Sequence, residues 1–139
     1  MATIAVAPFV LKNATFQVAT DQYESNISSV LFEPNVSAVT WQSITPTAPF
    51  SDVSSATWSC TIGYAQDWVT ANSLAQYLMN NAGQSKVCVF KPNGIATGTA
   101  IITATLIMAP GPIGGDVNTV AVGSVTLGVV GVPVKTAAP

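Results

Sequence analysis

The chain has 139 residues, of which 49% are hydrophobic but only 7% charged, with four Lys or Arg against six Asp or Glu and a formal net charge of −2. This length predicts a single domain over residues 1–139 that builds its core without metal or disulfide staples. Four cations with no basic cluster exclude the phosphate neutralisation that tight nucleic-acid binding requires, and no apolar run reaches the roughly 18 residues of a membrane-spanning helix.

A typical soluble domain carries about 25% charged residues. A surface this poor in charge leaves two readings open. Much of it faces other copies of the same protein, or the chain is a neutral, Thr-rich secreted β domain.

In chain order, the first segment is an apolar arm, about residues 1–13. Its only basic residue, Lys12, follows the apolar run, so no positively charged secretion leader is expected here. Phe16 and Val18 alternate as strand residues. The sequons at Asn13, Asn26 and Asn35 are expected by chance in a chain so rich in Asn, Ser and Thr. Asp21 and Glu24 lie close together in a turn. Val39 and Trp41 repeat the strand alternation, which predicts a second strand with one buried face.

Thr45 to Ser55 reads as a long loop, because Pro46 and Pro49 exclude it from a central strand. It carries Phe50 at a predicted loop tip. From Trp58 to Tyr64 every second residue is large or apolar, the clearest strand in the chain. A helix is predicted over about residues 71–82. Ser73 and Gln76 fit a capping box there, with Thr70 as an alternative cap one turn earlier. Leu74, Tyr77 and Leu78 form its apolar stripe, and Gly83 its left-handed terminator.

Lys86–Phe90 and Ala100–Met108 are apolar on both faces, which predicts strands covered on both sides by a sheet, a helix or a neighbouring subunit. A turn-rich loop, Ala109–Asp116, leads into the glycine- and valine-rich stretch Gly114–Pro133. Its apolar phase switches at Gly123-Ser124, predicting a bulge, bend or turn there, while Gly128 and Gly131 would permit close backbone approach. A C-terminal tail is expected from about 134 to 139.

No catalytic constellation emerges. The chain has no His, which removes the usual general base, and neither a triad nor a zinc spacing can be assembled. The glycines of Gly111–Gly115 match neither phosphate-binding pattern. Asp21, Glu24 and Asp67 could act as acid and base or bind calcium, but carboxylates in turns usually serve as solvated caps. No enzymatic activity, cofactor or metal is expected. Cys60 and Cys88 lie in apolar stretches and read as buried free thiols, with a disulfide between them the alternative.

A strand into Asp21–Glu24 is followed by VSAVTWQSI and a proline-bearing loop. An alternating strand then runs into Asp67-Trp68, followed by the helix SLAQYLMNNAG, VCVFKPN, a long apolar strand and the glycine-valine ending. This order, over about Thr15 to Lys135, resembles the major tail (tail tube) proteins of long, non-contractile-tailed bacteriophages. The resemblance implies a β-sandwich or barrel-like fold flanked by one helix, forming six-fold rings that stack into a hollow tube. Strands of neighbouring subunits would join into a barrel around the lumen.

A long loop and the terminal arm would bridge rings, which makes Pro46, Pro49 and Phe50, and Phe9 of the arm Ala5–Leu11, the candidate contact residues. The implied partners are copies of the chain itself, a tape-measure protein in the lumen, and terminator and distal tail proteins. Double-stranded DNA would pass through without specific binding. The implied location is the virion, after synthesis in the bacterial cytoplasm, with no membrane association. Two alternatives stand beside this reading: a secreted or surface β-sandwich binding or adhesion module, and another ring-forming component such as a tail terminator or a secretion-system tube protein.

Overall fold

Alternation puts Cys60, Ile62 and Tyr64 on one face of the strand Thr57–Ala65, and all three are buried. The structure, a computed structural model, describes residues 2–6, 8, 10–11, 13–92 and 100–137. Their elements run β1 (Thr15–Val18), β2 (Asp21–Gln22), β3 (Ile27–Asn35), β4 (Ala38–Gln42), β5 (Pro49–Val53), β6 (Thr57–Ala65), α1 (Leu74–Asn80), β7 (Ser85–Lys91), β8 (Ala100–Ile107) and β9 (Val122–Ala137). The fold is mainly β with one helix, as the sequence led us to expect.

Every pairing is antiparallel. Seven strands form one sheet in the order β2-β1-β7-β8-β9-β6-β3, and β4 and β5 form a separate two-stranded ribbon. The long strand β9 joins two halves of the sheet. Its residues Val122–Gly128 pair with β6, and Val129–Ala137 pair with β8. Just past the changeover, within the part paired with β8, Thr103 opposes Val134 while Thr105 opposes Val130, so β9 carries extra residues, with Gly131 at φ 79°. A strand that changes sheets at a bulge turns a corner. The sheet therefore curls over itself. Phe32 on β3 and Phe90 on β7 are not on neighbouring strands, yet their ring centroids lie 6.1 Å apart.

This corner corrects the expected break at Gly123-Ser124, where the register with β6 is unbroken from Val122 to Gly128. Close approach also falls elsewhere than expected. Nothing lies within 4 Å of a Cβ built on Gly128 or Gly131. A Cβ on Gly123 would instead meet the Tyr64 ring and Pro112, each at 3.1 Å, and one on Gly111 would sit 1.8 Å from the Tyr64 hydroxyl. Tyr64 fills the space that these two glycines leave.

The core lies inside the curl. Phe16 and Val18 of β1, Cys88 and Phe90 of β7, and Ala104 and Leu106 of β8 face Cys60, Ile62, Tyr64, Val125 and Leu127. Both cysteines are free thiols. The helix is shorter than the predicted 71–82, and its stripe packs as expected: Leu74 and Leu78 are fully buried, each worth about 1.5–3 kcal/mol of burial. Tyr77 packs on Tyr23 with ring centroids 5.8 Å apart.

Ser73 is the N-cap but forms no capping box. Its hydroxyl donates to the Asp67 carbonyl, and Gln76 Nε2 donates to the Thr70 carbonyl. The turn before the helix captures both side chains. Gly83 adopts φ 85° just past the helix and donates its N–H to the Met108 carbonyl at 2.8 Å. Strand β9 continues through Ala137, so residues 134–137 are strand where a tail was expected.

Candidate self-association surface

The stretch expected to be a long loop contains a strand. β4 and β5 pair from Ala38↔Val53 to Gln42↔Pro49, and a tight turn closes them, with the Ala48 N–H donating to the Thr45 carbonyl at 3.1 Å. Pro46 sits second in that turn, where its fixed φ is favoured. Pro49 is the first residue of its strand, a position that needs no ladder N–H. The base is pinned by two bonds between Ser37 and Ser54: Ser54 N–H to the Ser37 carbonyl at 2.8 Å, and Ser37 N–H to Ser54 Oγ at 2.9 Å.

Phe50 therefore lies within β5 opposite Trp41, and not at a loop tip. Residues two apart and cross-strand partners share a face, so Val39, Trp41, Phe50 and Asp52 form one side of the ribbon. All ten strand residues of the ribbon are exposed. Trp41 is 63% and Phe50 54% accessible. This corrects the expectation that Val39 and Trp41 face a core. Their alternation is that of a strand with one apolar side, but nothing among the described residues covers that side. Phe9 lies outside the described residues. Of its arm, Val10 and Leu11 are exposed.

The opposite end of β6 is tied down by one side chain. Gln66 Nε2 donates to the carbonyls of Gly114 (2.9 Å) and Val122 (2.8 Å), while Gln66 Oε1 accepts from the Gly114 N–H (2.9 Å) and from Trp68 Nε1 (3.2 Å). The loop it holds still exposes Ile113, Val117 and Val120, beside exposed Trp68 and Val69. No motif marks Gln66, because a lone Gln after a strand carries no sequence signal.

β7 and β8 bury one face each. On their other faces Val87 and Ile107 are exposed, so the double-sided cover expected from their composition does not come from the described residues.

A cleft of about 370 Å³ opens where the curled sheet fails to close, between β1 and β3. Thr15, Phe16, Ile27, Val30 and Phe90 line it together with Glu24, Ser25, Ser28 and Ser29. Glu24 Oε2 is buried and has no hydrogen-bond partner among the described residues. The nearby Tyr23 hydroxyl is likewise unpartnered. Burial, and secondarily the charge of Asp21, push it up to about 12, although Asp21 does not reach hydrogen-bond geometry with it.

The acids form no reacting pair. Asp67 Oδ1 accepts from the N–H groups of Val69 (2.9 Å) and Thr70 (3.0 Å). Hydrogen bonds from Thr70, then from the Val69 N–H, hold its carboxyl below the usual range, as in a turn cap. Among the described residues no group of three or more His, Cys, Asp or Glu side chains could hold a metal ion, and no helix is long and apolar enough to cross a membrane. Burial pushes the Cys60 and Cys88 thiols up to about 12, which keeps them protonated and unreactive at neutral pH.

In comparisons with known proteins, no family model matches this chain and no curated sequence matches it.

Proposed function

We propose that this chain is a structural protein that assembles with copies of itself into stacked six-membered rings, building the hollow tail tube through which a long-tailed phage delivers DNA. One observation carries the self-assembly. The ribbon β4–β5 leaves Val39, Trp41 and Phe50 exposed on one side, and nothing among the described residues covers them.

Charge does not solubilise that face, with only 7% of residues charged. An isolated two-stranded ribbon is marginal in water and gains order when its apolar side is covered. The order of elements along the chain supports the tail-tube form of assembly, and the shortage of basic residues suits a conduit along which DNA slides without being held.

Sedimentation of the wild type and of Phe50→Ala across a concentration series tests this reading. The wild type grows beyond a monomer, and Phe50→Ala keeps the fold but assembles at least about tenfold more weakly, as expected for an aromatic anchor. Equal assembly of the two would remove the ribbon from the interface.

A second reading rests on the same exposed face. Trp41 and its cross-strand partner Phe50 expose two aromatic rings of the kind that stack on sugars, which fits a surface binding module. Saturable binding of a soluble glycan by a protein that stays monomeric would favour it.

A further inference from the structure

We propose that Trp41 of one copy inserts into the cleft beside Glu24 of a second copy, so that successive copies join head to tail. This deepens the assembly reading and rests on it. The ribbon and the cleft belong to opposite ends of the same strand. Glu24 and Ser25 precede Ile27 at the start of β3, and the ribbon leaves β3 after Asn35. From Val30, the last β3 residue lining the cleft, to Asn35 the extended strand still spans roughly 17 Å. A copy therefore presents its knob far from its own hole.

The two surfaces are complementary in chemistry. The cleft has an apolar lining of Leu11, Phe16, Val30 and Phe90, Ser hydroxyls, and a carboxylate oxygen with no donor among the described residues. Trp41 offers a large apolar ring that is 63% exposed, with an indole N–H, a donor only. The terminal torsion of a Glu side chain is soft, so Glu24 can turn its free oxygen toward an entering N–H without moving the backbone. About 370 Å³ is ample for one indole. Two unlike surfaces in mutual contact make a heterologous interface, which propagates from copy to copy.

Two blocked variants test the docking. Trp41→Ala removes the knob and keeps the cleft. Ser25→Trp, at an exposed turn residue on the cleft rim, fills the cleft and keeps the knob. Circular dichroism first checks that each variant folds. By sedimentation velocity, each alone should remain monomeric where the wild type assembles, with association weakened at least about tenfold. Their equimolar mixture should form dimers that grow no further, since one free knob meets one free cleft.

Assembly of Trp41→Ala at the wild-type level, with the wild type assembling, would overturn the docking and leave self-assembly intact. A mixture that stays monomeric would overturn it as well. Normal assembly of Trp41→Ala together with failure of a variant lacking residues 1–10, which keeps Leu11 in the cleft wall, would mean that the arm and not Trp41 fills the cleft. A wild type that is monomeric at every concentration would sink the assembly reading, and the docking with it.

Discussion

Gln66 grips Gly114 from both sides: Gln66 Nε2 donates to the Gly114 carbonyl at 2.9 Å, and the Gly114 N–H donates back to Gln66 Oε1 at 2.9 Å. This reciprocal pair, together with the bond to the Val122 carbonyl, fixes the loop that leads into β9. Replacing Gln66 by Ala should cost about 0.5–1.5 kcal/mol, because the bonds are solvent-exposed and water takes up the backbone groups that lose their partner. Gln66→Glu should cost more at neutral pH, since a carboxylate cannot donate to either carbonyl. Urea unfolding checks both, and hydrogen exchange should show the Gly114 amide losing protection. An unchanged midpoint for Gln66→Ala would mean that the loop is held by its packing on Tyr64 and by the backbone bond from the Gln66 N–H to the Ala121 carbonyl.

Gly111 and Tyr64 compete for one volume. A methyl group at Gly111 would overlap the Tyr64 hydroxyl at 1.8 Å. Gly111→Ala should destabilise by about 1–3 kcal/mol, as overpacking does. Tyr64→Phe in the same chain should recover part of that loss by removing the hydroxyl. A thermal melt of the single and double variants decides the point. A cost that Tyr64→Phe leaves untouched would locate the strain elsewhere.

Gly131 sits at φ 79°, and a Cβ added there would have nothing within 4 Å, so its requirement is conformational and not spatial. Gly131→Ala should cost about 1–2 kcal/mol, and Gly131→Asn less, because Asn tolerates the left-handed region. Equal stability for Gly131→Ala and the wild type would show that the corner in β9 relaxes without a positive φ.

Alkaline pH should unfold the protein through its two buried thiols. Cys60 and Cys88 rise from an ordinary 9.0 to about 12, mainly by burial. Between those values the unfolded chain loses protons that the folded chain keeps. The stabilising contribution is therefore complete below about pH 9 and is lost as pH rises toward 12. Each thiol contributes up to ~1.4 kcal/mol per pH unit in that window. Urea midpoints at pH 8 and pH 10.5 measure the slope, and Cys88→Ala should flatten it. A slope that ignores Cys88→Ala would assign alkaline unfolding to the tyrosines.

Much of the body of the fold is legible in the sequence because its residues obey local rules. The alternation of β6, the helical stripe of Leu74, Tyr77 and Leu78, and the left-handed Gly83 all answer to spacing or backbone chirality. Two features are not legible, each for a physical reason. The second strand of the ribbon, β5, resembles a loop because Pro46 and Pro49 suppress strand signals. Proline is nevertheless harmless in the turn and at the first strand position, where they stand. The corner in β9 is expected at Gly123 because a glycine at a phase switch resembles a bulge. Gly123 is small for another reason, the approach of the Tyr64 ring, and the bulge belongs to Gly131.

Burial is the harder inference at the surface. Alternation at Val39 and Trp41 identifies an apolar side, but the pattern is the same whether a core or a neighbouring molecule covers it. The cleft beside Glu24 leaves no trace in the sequence, because its walls come from the end of the arm at Leu11, from β1, β3 and β7 and from the turn at Glu24, and meet only when the sheet curls.

The most direct test of self-assembly into a tube is negative-stain electron microscopy of the purified wild-type protein at high concentration. Stacked rings with six-fold end views, forming hollow tubes of uniform diameter, are the predicted result. Fields without rings or tubes, from protein that is folded and fully in solution, would contradict the proposal.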